Sequence, residues 1–366
     1  MSDGSTPSLV LIDDDPELLK KLSEQIAAEL ANEPLEIRQW SPKEGDSPSE
    51  QFDDLVDDNT VAVITDSDLT KHGLNGLFGA TIVSWCQALL LPVGDFSRGN
   101  VANLPSVPNL FELRVPSATD EAARYTASVF RGFKEIRASL SSDTDRLEAM
   151  RSPAEALAIV LDQPQLEGQL ALYMSRLGAA NSTILEKLRA ELSVTGPPDA
   201  ESKARLLTYV VGHVLVNAVL RYPGPILPMQ ALCAYTATTE AEAEQLEALF
   251  RDATYHGPFA SDPPRFWRRE VDAIFARAAS EVDEAIETIG EFNRALVQKL
   301  LGRDLALHEC TRCGGTNGGY LCPFTNRPVC ERADCSVAAN SWIPAGADLC
   351  RIERDFYDEW APLIGL

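Results

Sequence analysis

Two groups of residues in this 366-residue chain have the types and spacing to do chemistry. The first is acidic. Asp13, Asp14 and Asp15 close the short apolar run Leu9–Ile12, and Asp66 closes the run Val61–Thr65, with Asp68 two residues on. Sites in parallel sheets form at the carboxyl ends of strands. If the two runs are neighbouring strands, four or five carboxylates converge there. Such a group repels itself unless a cation neutralises it, and oxygen ligands suit a hard cation, Mg²⁺ first. The second group is thiol-based. Six of the eight cysteines (Cys310, Cys313, Cys322, Cys330, Cys335 and Cys350) fall after residue 309, whereas Cys86 and Cys233 sit alone in apolar runs. In Cys310-Thr-Arg-Cys313-Gly-Gly, two thiolates can reach one ion and the glycines permit a tight turn. Cys330-Glu-Arg-Ala-Asp-Cys335 supplies a second pair. The expected Zn²⁺ ligands are Cys310, Cys313, Cys330 and Cys335, with Cys322, His308 and Cys350 as alternatives. Four such ligands close a tetrahedral site, which is structural and not catalytic.

The elements that must position these groups fall into three segments. Residues 1–139 alternate strand and helix patterns. Glu17–Leu30 carries Leu18, Leu19, Leu22, Ile26 and Leu30 at helical spacing behind Pro16, which suits a first helical turn. Leu35–Trp40, Pro92–Phe96 and Leu110–Val115 read as further strands, Ser41–Glu50 as a polar loop, and Ile82–Leu90 and Asp120–Leu140 as helices. That alternation predicts an α/β fold, a five-stranded doubly wound parallel sheet. Residues 140–305 read as an almost wholly helical domain, with stripes over Thr144–Leu161, Leu166–Leu177, Ser182–Leu192, Ser202–Leu220, Thr238–Ala253 and a long Phe266–Leu301. Residues 306–366 predict a small zinc-stapled module.

The first segment resembles the receiver domain of bacterial two-component response regulators, the CheY-like fold. Leu-Ile-Asp13-Asp14-Asp15-Pro16 resembles the family's acidic pair after the first strand, and Asp66, closing Val-Ile-Thr-Asp, stands at its phosphoacceptor position. Asn75-Gly76 resembles the Asp-Gly that follows, Ser97 its switch hydroxyl, Phe111 its aromatic switch residue, and Arg114 its lysine. The resemblance implies phosphotransfer from a histidine kinase or kinase-like partner to Asp66, with Mg²⁺ held by Asp13 or Asp14 and with Ser97 and Arg114 answering the added charge. Arg in place of Lys, Arg98 beside Ser97, and a spacing to Gly76 that fits Asp68 better than Asp66 all depart from the pattern. They also suit a degenerate receiver that signals without phosphate. The C-x2-C-x16-C-x4-C spacing resembles zinc-ribbon and treble-clef modules.

Composition narrows the function. Apolar residues make up 45% and charged residues 24% of the chain, as in ordinary soluble domains. The net charge of −23 disfavours a general nucleic-acid binder. From residue 301 on, six arginines face nine acids, which disfavours DNA binding by the cysteine module as well. No apolar stretch is long enough for a membrane helix and no signal peptide is visible, so a cytoplasmic protein without a membrane partner is expected. His213 in its apolar helix reads as a core residue, and Phe266-Trp267-Arg268-Arg269 as a helix start. Neither a Walker loop, a G-x-S-x-G elbow nor an H-E-x-x-H pair is present. The expected function is a signalling or regulatory protein with a receiver-like input and an output acting by contact with protein partners. By analogy, this suits a bacterial defence or conflict system. An enzyme is not expected beyond, at most, receiver phosphotransfer and autodephosphorylation, and self-association is left open. The alternative is a DNA-binding regulator using the zinc module; a third is an enzyme with its site in the helical middle.

Overall fold

The computed structural model describes residues 6–43, 47–70, 77–96, 110–174, 182–192, 200–260, 263–278, 288–306, 308–315, 319–338 and 342–364. In chain order the first elements are β1 (Ser8–Ile12), α1 (Pro16–Glu29), β2 (Glu36–Trp40), α2 (Pro48–Leu55), β3 (Thr60–Asp66), α3 (Gly79–Ala88), β4 (Val93–Phe96), β5 (Leu113–Val115) and α4 (Thr119–Ser141). There follow α5 (Thr144–Ala149), α6 (Pro153–Val160), α7 (Glu167–Tyr173), α8 (Ser182–Glu191), α9 (Ala200–Val214) and a turn of π-helix at Leu215–Val219. The last stretch holds β6 (Ile226–Pro228), α10 (Met229–Tyr235), α11 (Ala243–Leu249), β7 (Arg265–Trp267), α12 (Arg268–Ala278), α13 (Ile289–Leu301), β8 (Tyr320–Cys322), β9 (Arg327–Val329), β10 (Ser336–Val337), β11 (Ile352–Glu353) and α14 (Arg354–Trp360). The chain packs as two compact units: residues 1–102, 108–164 and 177–213 in the first, and 103–107, 165–176 and 214–366 in the second.

The first unit is built on a five-stranded sheet in the order β2-β1-β3-β4-β5, every neighbouring pair parallel. Its central strands are apolar in both phases, as a sheet covered on both faces requires. Val10, Ile12 and Val63 pack with Phe52 of α2 and with Ile82, Val83 and Cys86 of α3. Leu9, Leu11 and Ile64, in the other phase, are fully buried too. Helix α1 starts where the sequence says it should. Asp15 caps it by accepting from the N–H groups of Glu17 and Leu18, and Pro16 occupies the first turn. Glu33, just past α1, accepts from Arg131 and Lys134 of α4 at 2.6 and 2.9 Å.

Helix α9 completes this unit. Tyr209 stacks on Phe111 at 5.2 Å between ring centroids, and His213 lies between Phe111 and Phe133. Lys203 is fully buried, and its Nζ donates to the carbonyls of Glu148 and Met150, each at 2.9 Å, closing the open end of α5.

The structure corrects several expected elements. The polar stretch Ser41–Glu50 gives way to α2, which begins at Pro48 behind Ser47. Thr144–Leu161 is two helices, because Met150 turns extended and Ser152 caps the second through the Glu155 N–H. Phe266–Leu301 is not one helix. Phe266 lies in β7, which pairs antiparallel with β6, and α13 is started separately by Thr288, whose hydroxyl accepts from the Glu291 N–H at 3.2 Å.

The second unit gathers Leu227, Leu232, Leu246, Phe250, Phe266, Val271, Phe275, Leu296 and Val297 in one core, to which the cysteine-rich segment adds Leu321 and Leu349. No helix among the described residues is long and apolar enough to cross a membrane.

Candidate functional site

Strand order reverses between β1 and β3, so their carboxyl ends open a crevice of the kind where α/β sheets bind ligands. Ile12 is in register with Thr65, so Asp13 and Asp66 leave the sheet side by side. Asp13, Asp14 and Asp66 each bring a carboxylate oxygen to within 4.8 Å of the others. All three are buried, Asp66 completely. The Ser67 N–H donates to Asp66 Oδ1 at 2.8 Å, and Asp13 Oδ1 accepts from the Asp15 N–H at 2.8 Å. Asp66 Oδ2 is buried without a hydrogen-bond partner. Three buried carboxylates with an orphaned oxygen are costly alone and form a donor set for a hard divalent cation. The residues therefore fit Mg²⁺.

Of the four or five acids expected to converge, three do. Asp15 is spent on the cap of α1. Asp68 turns into its own loop, where Oδ1 accepts from the N–H and hydroxyl of Thr70. Arg114 lies on β5 in register with Asp95. Ser97, Arg98, Asn75, Gly76 and His72 lie outside the described residues. Phe111 is fully buried against Tyr209 and His213.

Two residues of this edge gain a role only in the fold. Asp95, in register with Thr65, has Oδ1 buried without a partner. Burial, helped by the charges of Glu112 and Asp66, pushes its carboxyl up to about 6. Glu112 is also raised by burial, against the opposing pull of Arg114. A lone Asp inside Val-Gly-Asp-Phe carries no signal until β4 is set in register with β3. The other is Gly79, the first residue of α3, whose N–H donates to the Ser67 carbonyl at 3.1 Å. A Cβ there would stand 2.4 Å from the Asp66 carbonyl oxygen, so only glycine lets α3 start this close to the end of β3.

The second group is in the cysteine-rich segment. Cys310, Cys313, Cys330 and Cys335 bring their sulfurs within 4.8 Å of one another; Cys313 is exposed and the other three are buried. Cys313 and Cys330 sulfurs are 3.8 Å apart, and the Gly315 N–H donates to Cys313 Sγ at 3.3 Å. Gly314, at φ +63°, makes the turn that returns the chain so that the Cys310 N–H reaches the Gly315 carbonyl. Burial raises the Cys310 thiol, but hydrogen bonds from the backbone of Cys313, Arg312 and Cys330 outweigh it and bring it down to about 7. Burial first, then the neighbouring thiols, pushes Cys335 up. An all-sulfur set of four suits a closed tetrahedral Zn²⁺ site. Cys322, Cys350 and His308 stand outside this group. Cys350 Sγ faces the Pro223 carbonyl at 3.7 Å, burial drives its thiol far up, and Leu321 bridges to it. Burial holds the His308 imidazole down at about 4, against the hydrogen bond it donates to the Ala234 carbonyl.

Neither histidine of the middle segment has the surroundings of a catalytic base. His213 is buried among rings with Nδ1 against the Tyr209 carbonyl at 2.7 Å, and His256 is exposed. No protein-family model matches the chain, and a search of curated proteins finds no match, so the functional reading rests on the two groups just described.

Proposed function

We propose that the first unit is a receiver module in which Asp66 accepts a phosphoryl group from a histidine kinase or kinase-like partner. A protein partner reads the change through the rest of the chain, which a structural zinc ion staples at Cys310, Cys313, Cys330 and Cys335. One observation carries this reading: the buried convergence of Asp13, Asp14 and Asp66 at the carboxyl ends of β1 and β3, with Asp66 Oδ2 left without a partner. In the transfer an Asp66 oxygen attacks phosphorus, the donor's phosphorus–nitrogen bond breaks, and its imidazole leaves as the neutral ring after proton transfer. Ser67 holds Oδ1 and so fixes the orientation of the carboxylate. Asp13 and Asp14 would hold Mg²⁺, which when bound offsets the charge of the carboxylates and of the incoming phosphoryl group.

Output by protein contact is supported by how the C-terminal arginines are used. Arg312 pairs with Asp355, Arg327 with Glu353 and Arg354 with Asp358. Glu240, Glu244, Glu247 and Asp252 are exposed on and around α11. Such a surface repels phosphate, which counts against the DNA-binding alternative.

A second reading has its own observation. Asp66 is 0% exposed, and the carboxyl of Asp95, whose charge interacts with that of Asp66, adds negative charge to this edge. A phosphate-independent pseudo-receiver, in which the carboxylates only hold an ion, suits that surrounding. One experiment separates the two: incubation with a small acyl phosphate and Mg²⁺, followed by intact mass. A single-phosphate adduct lost in Asp66→Asn supports phosphotransfer. No adduct, with stabilisation by Mg²⁺ retained, selects the pseudo-receiver. Absence of both removes the receiver reading altogether.

A further inference from the structure

The second unit contains a cavity of about 310 Å³ that neither proposed activity uses. That is the small end of the range for small-molecule sites, roughly 300–1,000 Å³. Its wall is rigid. The Thr239 N–H donates to the Ala306 carbonyl and the His308 N–H to the Ala237 carbonyl, so the two stretches are laced together and both residues line the cavity. Glu242 ties the same stretch by accepting from the Ala306 N–H at 3.1 Å and pairing with Arg303.

Two polar groups of this wall each keep an atom without a partner. His308 is 3% exposed, and while one side of its buried ring is turned to the Ala234 carbonyl, the other nitrogen has no hydrogen bond. The Thr239 hydroxyl is buried and equally unanswered. Buried polar groups are rarely left so, and a bound ion or small molecule is one way to answer them. The charge of the lining is one-sided. Glu240 and Glu309 are exposed members of it, and neither Lys nor Arg belongs to it. Gln230 and Asn326 add carboxamides, and Ala234, Leu321 and Pro328 an apolar floor.

We propose that this cavity binds a small organic cation, an amine or guanidinium compound. Glu240 and Glu309 hold its charged head, while its other polar end answers His308 and Thr239. The same carboxylates repel phosphate and carboxylate compounds.

The test is calorimetric titration of the full, zinc-loaded chain with agmatine, with inorganic phosphate as the opposite-charge control. Agmatine is expected to bind at one saturable site, more weakly as salt rises. The Glu240→Gln/Glu309→Gln double variant, altered only at exposed positions, should bind at least about ten-fold more weakly, and Thr239→Val about three-fold more weakly. No binding at millimolar agmatine, binding unchanged in both variants, or binding of phosphate instead would each overturn the proposal. Circular dichroism superimposable on that of the parent shows that the variants are folded.

Discussion

Replacing Asp66 by Asn puts a number on the acidic crevice. The Asp13, Asp14 and Asp66 oxygens lie within 4.8 Å of one another. At that separation and an effective dielectric near 20, each pair of full charges repels by about 3.5 kcal/mol. Asp66 takes part in two such pairs, so about 7 kcal/mol of gross repulsion is at stake when no cation is bound. Counter-ions and local relaxation offset most of it. Asn also brings an amide donor to the position where Oδ2 now has no partner. The net expectation is that Asp66→Asn stabilises the magnesium-free protein by about 1–3 kcal/mol, which raises Tm by about 1–4 °C in a chain of this length. Magnesium acts oppositely on the two proteins. At ten times its Kd it should add about 1.4 kcal/mol to the parent and little to the variant. Thermal melts followed by circular dichroism, with and without MgCl2 and with zinc supplied throughout, read both effects. A variant that melts at or below the parent without magnesium, and still gains from it, would refute a shared cation site.

Other expectations follow from the same geometry. Gly79→Ala forces a Cβ to 2.4 Å from the Asp66 carbonyl oxygen and should cost about 1–3 kcal/mol, together with the Mg²⁺-dependent stabilisation; an unchanged melt with intact magnesium response would show that α3 can shift freely. Zinc content by elemental analysis should be near one per chain, fall sharply in Cys330→Ser and stay level in Cys322→Ser, because only the former sulfur belongs to the cluster of four; equal loss in both would reassign the ligands. His213 is held down to about 4 by burial, against the hydrogen bond to Tyr209, whereas the unfolded chain titrates at 6.5. Its neutral form is therefore fully stabilising above pH 6.5, and that stability drains away as pH falls toward 4, by about 3 kcal/mol in all. His213→Leu should flatten that limb of the urea midpoint against pH, and superimposable profiles would exclude the effect.

The parts of the fold that were legible in the sequence are those where a long apolar run meets strong punctuation. β1 and α1 are marked by Leu9–Ile12, then Asp15 as cap and Pro16 in the first turn. β3 is marked by its apolar run into Asp66. The six C-terminal cysteines contained the four that gather, because pairs at C-x2-C and C-x4-C spacing bring thiols together with little chain between. What was hidden depends on register and tertiary packing. β6 and β7 are three residues each, too short for alternation to register against the helical periodicity around them. The break at Thr288 is a capping hydroxyl inside a stripe that continues on both sides. The separate fates of Asp13 and Asp15, one in the crevice and one on a helix cap, follow from backbone direction, which composition does not encode. Asp95 and Gly79 matter only because of what β3 places beside them.

Of the four gathered cysteines only Cys313 is exposed; the other three are buried. A bound ion would thus have a single door. Chelators, oxidants and alkylating reagents must all begin at that one thiolate, at the tip of the Gly314 turn, before the three shielded ligands can follow. How long such an ion stays in place would then be set by how often one short loop lifts, and not by the average strength of four bonds.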